Sequence, residues 1–412
     1  MTDQSTRQLK QRADYTHQFN RRAGRHGWLR LTPAYSVKIV EEIVQTWDRP
    51  VRVYDPFCGT GTTALSAAYH GHTAVTTDIN PFLVWFGRAK TARYSDHRIT
   101  ETLHAALAAR KRVERGQIAP VAPPPIHQIE RWWSVDTLNF LCGLRAALDV
   151  VAEVGSPVWD LLRVAFCRTL IAHSNAAFNH QSMSFKNAEQ LSLGLSHDLG
   201  EMFVQDVRFV LEGAADNPSG DATVLLTDAR DPEMPQDARF EQIVTSPPYA
   251  NRMSYIRELR PYMYWLGFLE SGREAGELDW NSIGGTWGIA TSRLNEWRRR
   301  SDAFTHPLLD DALEKIAQGD NKNGALLANY VARYHDDMWR HFQHMRRLLE
   351  PSAALHYVVG NSTFYGVLLP VEQIYAAMLE ALGFESVICT PIRRRNSNKS
   401  LVEFIVSAKW GG

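Results

Sequence analysis

The chain has 412 residues, which is enough for two or three domains with a substantial core. Its 45 Lys and Arg residues equal its 45 Asp and Glu residues, so a uniformly basic nucleic-acid-binding surface is excluded, and any polyanion must meet a local patch. No stretch approaches the roughly 20 apolar residues of a membrane span. Four scattered cysteines without a CxxC pair, and a start without an apolar signal segment, favour a cytoplasmic protein with neither disulfides nor a zinc site.

The first 30 residues are polar and basic, with seven Lys or Arg against Asp3 and Asp14. We interpret residues 1–30 as a basic N-terminal arm, with a solvated terminus as the alternative. An α/β pattern follows. Residues 51–55 and 73–78 read as strands, with a helix between them that ends at Gly71, and this order predicts a parallel pair. Asn80 and Pro81 then predict a helix start.

Two interruptions divide the rest of the chain. Residues 95–220 lose the strand signal and predict a mainly helical insert, and residues 271–323 predict a loop-rich excursion. The strand pattern resumes at 222–227 and 240–246, and the chain closes with helices, a strand and a hairpin-like pair. We therefore assign residues 31–94 and 221–412 to one α/β catalytic domain.

A glycine-rich turn, DPFCGTGTT, lies at residues 55–63 between the first strand and its helix. Gly59 and Gly61 allow a tight turn whose backbone amides approach a ligand, and the helix N-terminus favours a carboxylate or phosphate. The turn has no lysine, so it is not a P-loop. Asp78 ends the next strand, where an acidic side chain can hold ribose hydroxyls, although a helix-capping aspartate is the alternative.

The segment TSPPY, at residues 245–249, directly follows a predicted strand. Its two prolines stiffen the backbone, so the carbonyl near Ser246 and Pro247 can accept a hydrogen bond from an exocyclic amine. Tyr249 supplies a flat face on which a base can stack. In isolation the segment would fit an ordinary proline-stiffened turn.

Together, DPFCGTGTT, TDINP and TSPPY resemble the amino-group DNA methyltransferases, which use S-adenosylmethionine to methylate N4 of cytosine or N6 of adenine. The resemblance spans residues 29–93 and 222–409. It implies an α/β fold with a Rossmann-like, mostly parallel seven-stranded methyltransferase sheet and an antiparallel final hairpin. It also implies duplex DNA as substrate, and a companion restriction endonuclease as a partner.

The resemblance implies specific site residues. Asp78 would hold the cofactor ribose, Asp228 would contact the adenine amine, and residues 28–35 would close over the methionine end. The implied cofactor-binding set is Thr32, Pro33, Asp55, Phe57, Gly59, Gly61, Thr62, Asp78 and Asp228. The implied catalytic set is Ser246, Pro247, Pro248 and Tyr249, and its serine form is more typical of N4-cytosine enzymes.

An exocyclic amine is a poor nucleophile because its lone pair is delocalised into the ring. Ser246 Oγ and the Pro247 carbonyl would accept its two hydrogens and aim the lone pair at the methyl group. No cysteine follows a proline, which disfavours C5-cytosine chemistry. The alternatives are N6-adenine methylation, methylation of RNA or of a protein glutamine, and a cofactor-binding module without activity.

A duplex substrate implies that the target base flips into the pocket and stacks on Tyr249. Basic clusters are candidate phosphate contacts, with a solvated face as the alternative for each. They comprise Arg298, Arg299, Arg300, Arg393, Arg394, Arg395 and Lys399. The helical insert is a candidate target-recognition region, although in this family that region usually follows the strand that contacts adenine. Within it, Trp132 and Trp133 are predicted core residues, and His173 and His180 lack the acidic partners of a metal site.

Overall fold

The computed structural model describes residues 9–29, 31, 34–177, 184–185, 198–319, 322–395 and 400–412. Its main sheet has seven strands in the order β3-β2-β1-β4-β5-β7-β6. They are β1 (Arg52–Asp55), β2 (Thr73–Asp78), β3 (Asp221–Leu226), β4 (Phe240–Thr245), β5 (Leu349–Gly360), β6 (Phe384–Arg394) and β7 (Val402–Trp410). Strands β1 to β5 pair in parallel, and β7 pairs antiparallel with both β5 and β6. The predicted seven-stranded sheet with its antiparallel final hairpin is confirmed.

Helices occupy most of the remaining described chain. They are α1 (Val37–Val44), α2 (Thr62–Tyr69), α3 (Pro81–Thr91), α4 (Asp96–Glu114), α5 (Ile129–Trp132), α6 (Val135–Val151), α7 (Pro157–Ala172), α8 (Leu199–Ala215), α9 (Tyr255–Trp265), α10 (Gly272–Asn281), α11 (Ile289–Glu296), α12 (Pro307–Gln318), α13 (Gly324–Met345) and α14 (Val371–Ala381). Short two-stranded ribbons pair Ala176–Ala177 with Ser184–Phe185, and Ser362–Phe364 with Val367–Leu369. Among these described helices, none is long and apolar enough to cross a membrane.

Local sequence explains how the chain turns from strand to helix at the edge where the parallel strands end. Gly61 adopts φ 67° directly before α2, a left-handed conformation that costs glycine little. The Asn80 side chain accepts a hydrogen bond from the Phe82 amide at 3.0 Å, and Pro81 occupies the first position of α3. The predicted helix start at Asn80 is confirmed.

The predicted helical insert contains α4 to α8, and its apolar side chains do not form a separate core. They join the side chains of α3 and α9 in one continuous cluster that includes Phe82 and Met263. Trp132 and Trp133 are 3% and 0% exposed within it, so their prediction as core residues is confirmed. The insert therefore packs against α3 and α9 through shared burial of apolar surface.

The second interruption differs from the predicted loop-rich excursion because it carries the three helices α10, α11 and α12. Ser271 caps α10 by accepting a hydrogen bond from the Glu274 amide at 3.2 Å. Each helix also buries at least one apolar residue, among them Ala275, Leu294 and Leu309. Capping and burial stabilise helices that are too short to show a clear periodicity in the sequence.

The N-terminal segment differs from the predicted free arm over its described part. Residues 9–29 form three short 3-10 helices that pack on the body, and the Arg25 side chain is fully buried. Its guanidinium donates to the carbonyl oxygens of Gly213 and Ala214, each at 2.9 Å, at the end of α8. Residues 1–8 and Arg30 lie outside the described residues. Hydrogen bonding to helix-end carbonyls compensates the burial of Arg25, so this charge does not face solvent.

Candidate active site

A pocket of about 450 Å³ opens at the edge of the sheet where the parallel strands end. Ligands of open α/β sheets bind at this edge, and the volume lies within the range of small-molecule sites. Many of the predicted site residues line the pocket: Phe57, Gly59, Asp78, Asp228, Ser246, Pro247, Pro248, Tyr249, Arg393 and Arg395. The structure therefore brings both sequence motifs, the glycine-rich turn and the SPPY segment, to one cavity.

Three residues predicted to contact the cofactor instead lie behind the pocket wall. Asp55 is 1% exposed, and its Oδ1 accepts hydrogen bonds from Thr245 Oγ1 at 2.5 Å and from the Phe57 amide at 3.0 Å. Gly61 and Thr62 begin α2 and are also absent from the described lining. Burial raises the pKa of Asp55 to about 6. These residues shape the turn rather than face a ligand.

Asp78 reaches the pocket and also fixes the glycine-rich turn. Its Oδ2 accepts the Gly59 amide and its Oδ1 accepts the Asn80 amide, each at 2.9 Å. Burial raises the pKa of Asp78 to about 6, which the two backbone amides only partly offset. A carboxylate oxygen can accept a second hydrogen bond, so Asp78 still has lone pairs for the hydroxyls of a ribose.

Asp228 lines the pocket but is already bound by Arg230, which the sequence reasoning missed. The Arg230 guanidinium donates to Asp228 Oδ1 at 3.0 Å and to Oδ2 at 2.6 Å. It also donates to Asp337 on α13 at 2.8 Å. Burial would raise the pKa of Asp228, but the ion pair with Arg230 lowers it overall. The sequence did offer a signal for this ion pair, because Arg230 lies only two residues after Asp228.

The SPPY segment is fixed by two groups from distant parts of the chain and by one six residues away. Ser246 Oγ donates to the Val358 carbonyl on β5 at 3.0 Å. The Pro248 carbonyl accepts from Tyr334 at 2.7 Å, and the Tyr249 amide donates to the Tyr255 hydroxyl at 3.2 Å. Because its only hydrogen is engaged, Ser246 Oγ offers lone pairs to any other partner. The tyrosines were not identifiable from a local motif.

The predicted phosphate contacts Arg393 and Arg395 lie in the pocket wall. Arg393 forms a two-pronged ion pair with Glu403, with both N–O distances at 2.6 Å. Arg395 lies 5.5 Å from the centroid of the Tyr249 ring and donates to the Asn361 carbonyl at 3.2 Å. Arg393 lies on β6 and Arg395 just after it, and both side chains line the pocket beside the SPPY segment. Their location therefore differs from that of an exposed phosphate contact.

The other predicted phosphate contacts lie away from the pocket, in so far as the structure describes them. Arg298 is exposed and donates to the carbonyls of Asn295 and Trp297. Arg299 pairs with Asp310, and Arg300 pairs with both Asp302 and Asp336. Arg394 lies on β6, where its amide donates to the Lys10 carbonyl at 3.3 Å. Lys399 lies outside the described residues. Because Arg299 and Arg300 are paired with carboxylates, Arg298 is the strongest remaining candidate for a phosphate contact in the 298–300 cluster.

The N-terminal region supplies a pocket wall that the sequence reasoning assigned to an arm. Tyr15, Thr16, His17 and Gln18 line the cavity together with Tyr35. The Tyr15 hydroxyl donates to Glu42, and the Tyr35 hydroxyl is hydrogen-bonded to Thr63. Thr32 and Pro33, predicted at the methionine end of the cofactor, lie outside the described residues, as does His180. Leu31, Ala34 and Tyr35 therefore represent the 28–35 segment in the described lining.

Comparisons with known proteins agree with this geometry. Residues 37–116 match the family described as D12 class N6 adenine-specific DNA methyltransferases. The chain is 20% identical to the Type II methyltransferase M.MvaI of Kocuria varians over 85% of this chain and 79% of that protein. It is 19% identical to the Type II methyltransferase M.BsoBI of Geobacillus stearothermophilus over 93% of this chain and 83% of that protein. These matches support a DNA methyltransferase.

Proteins of these kinds use S-adenosylmethionine, and the pocket of this chain has groups that fit that cofactor. The Asp78 carboxylate lies at a strand end where an acidic side chain can hold ribose hydroxyls, and the glycine-rich turn and the Phe57 ring line the same cavity. A solved rRNA methyltransferase, AviRa from Streptomyces viridochromogenes, aligns over 91% of this chain and 86% of its own at 10% identity. Its TM-score of 0.28 is too low to bear on fold or function.

Proposed function

We propose that this methyltransferase acts on specific sites of duplex DNA, and that it transfers a methyl group to the exocyclic N4 amine of cytosine. The observation that carries the proposal is Ser246. Its hydroxyl hydrogen is donated to the Val358 carbonyl, so its oxygen acts as an acceptor beside the Tyr249 ring. An amine that donates to this oxygen would lie in the same cavity as Asp78, which supports a base and a cofactor bound side by side.

The chain's own groups would orient the amine rather than attack the base. Ser246 Oγ and the Pro247 carbonyl accept the two amine hydrogens, which localises the nitrogen lone pair and fixes its direction. Tyr249 stacks on the ring and keeps the flipped base in the cavity. Bound S-adenosylmethionine supplies the electrophilic methyl group. The methyl group would pass from the sulfonium to the amine nitrogen, leaving a neutral thioether, and the proton that the amine loses would pass to water, without a covalent bond to the protein.

N6-adenine is the second candidate base, and the family match favours it. That match ends at residue 116, before β4 and the SPPY segment, so it bears on the cofactor end of the pocket. Asp228, which the resemblance assigns to the cofactor adenine, is held by Arg230 and does not separate the two bases. The serine of SPPY is the feature that favours cytosine.

The relatives are named Type II methyltransferases, which supports a role beside a companion restriction endonuclease. We extend the proposal to the domain organisation. Residues 31–94 and 221–412 would perform catalysis, and the helical insert 95–220 would select the DNA sequence. We include base flipping in the proposal, because a base that stays paired in the duplex cannot enter the pocket lined by Ser246 and Tyr249.

The direct experiment is to express the chain in a host without DNA methylation and to analyse the nucleosides of its DNA by mass spectrometry. N4-methylcytosine is the expected product. Detection of N6-methyladenine would replace the cytosine assignment with the second candidate. The absence of both products would refute DNA methylation by this chain. A Ser246→Ala variant is the matched control, and sequencing of the modified bases gives the recognition site.

A further inference from the structure

A small hairpin begins at the base end of the pocket. It comprises residues 362–369, namely the strands Ser362–Phe364 and Val367–Leu369 with Tyr365 and Gly366 at the turn, and it follows β5 directly. Gly360, the last residue of β5, packs so closely on Tyr249 that an added Cβ would lie 3.1 Å from its Cε2 atom. The hairpin therefore leaves the sheet beside the aromatic ring on which a target base would stack.

One face of the hairpin is anchored, and its tip is exposed. Phe364 is 5% exposed and packs against Tyr330 with ring centroids 5.9 Å apart. Tyr365 and Leu368 are 45% and 46% exposed. The two turn residues both have positive φ, 49° at Tyr365 and 83° at Gly366. A bulky residue rarely adopts this conformation, so the fold holds Tyr365 outward at an energetic cost.

A second exposed residue with positive φ belongs to the same surface. Arg252 has φ 60° and lies three residues after Tyr249 in the chain. Its amide donates to the Tyr330 hydroxyl at 3.1 Å, and Tyr330 is the ring that packs on Phe364. Tyr330 thus links the hairpin to the loop after SPPY, and places an exposed aromatic and an exposed cation on two segments around one anchor.

We propose that the 362–369 hairpin is a DNA wedge. Tyr365 enters the base stack at the position that the target base vacates, and Arg252 pairs with a neighbouring phosphate. Unstacking one base has an energetic cost, and an inserted side chain offsets part of that cost. The positive charge of the exposed Arg252 complements a phosphate at this edge. The inference rests on the proposed function and extends it to a surface outside the pocket.

The test compares Tyr365→Ala with wild-type protein on two duplexes of the mapped recognition sequence. One duplex has the target base paired, and the other has an abasic site opposite the target, which removes most of the flipping cost. On the paired duplex, the variant should lose about 10-fold in single-turnover methylation rate, as expected for one stacking contact. On the abasic duplex, we expect a loss of less than about 3-fold, because the wedge is no longer needed.

Two further variants keep the comparison informative. Tyr365→Trp retains a stacking surface and should restore the rate on the paired duplex. Ile388→Ala removes an apolar side chain that is 58% exposed on β6, and should leave both rates unchanged. Binding of S-adenosylhomocysteine, measured by calorimetry, should be equal in all proteins.

Equal rate losses on the two duplexes, or no loss on either, would overturn the wedge. Failure of the proposed function is seen separately, as wild-type protein that methylates neither duplex. A paired duplex with pyrrolocytosine, a fluorescent cytosine analogue that pairs with guanine, at the target position provides an independent readout. Its fluorescence should rise when wild-type protein flips the base, and should rise less with Tyr365→Ala.

Discussion

The two ends of the pocket are built from contacts of very different range along the chain. At the cofactor end, the Gly59 amide and Asp78 are 19 residues apart, and Asp55 and the Phe57 amide only two. At the base end, Ser246 and Val358 are 112 residues apart, and Pro248 and Tyr334 are 86 apart. The glycine-rich turn with Asp78 is thus a local strand–turn–helix unit, whereas the SPPY segment is fixed only when distant strands and α13 are assembled.

Ser246→Ala should have the largest effect, and it should act at the base end alone. Loss of one preorganised hydrogen-bond partner of a reacting group costs about 100-fold in kcat. Affinity for S-adenosylhomocysteine should stay within about 2-fold, because Ser246 is fixed by Val358 and not by the glycine-rich turn. Single-turnover methylation and calorimetry measure the two quantities. A parallel loss of cofactor affinity would contradict the separation of the two ends, and Ser246→Thr, which keeps a hydroxyl, is the control.

Substitution of Asp78 should have the opposite effect, lowering cofactor affinity at the cofactor end of the pocket. Its raised pKa of about 6 reflects burial, and hydroxyl donors from a ribose favour the ionised form. Affinity for S-adenosylhomocysteine should therefore be constant above pH 7 and fall by up to about 10-fold per pH unit below pH 6, as Asp78 becomes protonated. Asp78→Asn should weaken binding at pH 8 and flatten this profile. A profile that persists in Asp78→Asn would assign the titration to Asp55, whose pKa is also about 6.

Gly360→Ala tests the packing of the base end by adding a single methyl group. The new Cβ would lie 3.0 Å from an Arg395 nitrogen and 3.1 Å from Tyr249, so the ring must shift by a few tenths of an ångström. We expect a loss of about 5-fold in kcat/KM for DNA, in line with the cost of a small misplacement. Cofactor affinity should not change. The matched control is Gly267→Ala, where no atom lies within 4 Å of the added Cβ, although its positive φ adds local strain.

The smallest effect belongs to a residue outside both ends. Arg298→Ala removes an exposed cation that contacts only backbone carbonyls among the described residues. If it contacts a phosphate, DNA affinity falls about 3-fold at low salt, and the slope of log affinity against log salt decreases by about one. Arg299→Ala is the comparison, because its guanidinium already pairs with Asp310. An unchanged salt slope in Arg298→Ala would remove the 298–300 cluster from the DNA surface.

The contrast in contact range also explains what the sequence could predict. The sheet, the glycine-rich turn and Asp78 were predicted because their signals lie within a few dozen residues. Tyr334 was missed because it acts through a partner 86 residues away that only the fold brings close, whereas Arg230 and Tyr255 lie two and six residues from their partners and belong to no local motif. The same reason applies to Arg393, which reads as part of a basic cluster until Glu403 pairs with it on β7. The N-terminal wall of the pocket was missed because its charge pattern is typical of a solvated terminus.

Buried Arg25 has a consequence for the order in which the polypeptide matures. Its guanidinium is held by carbonyls of Gly213 and Ala214, which leave the ribosome almost 190 residues later. During synthesis, the Arg25 guanidinium cannot reach these acceptors until α8 has emerged. The contact that ties Arg25 to the helical insert therefore forms only after that insert is made, and the base end is completed later still, when β5 emerges.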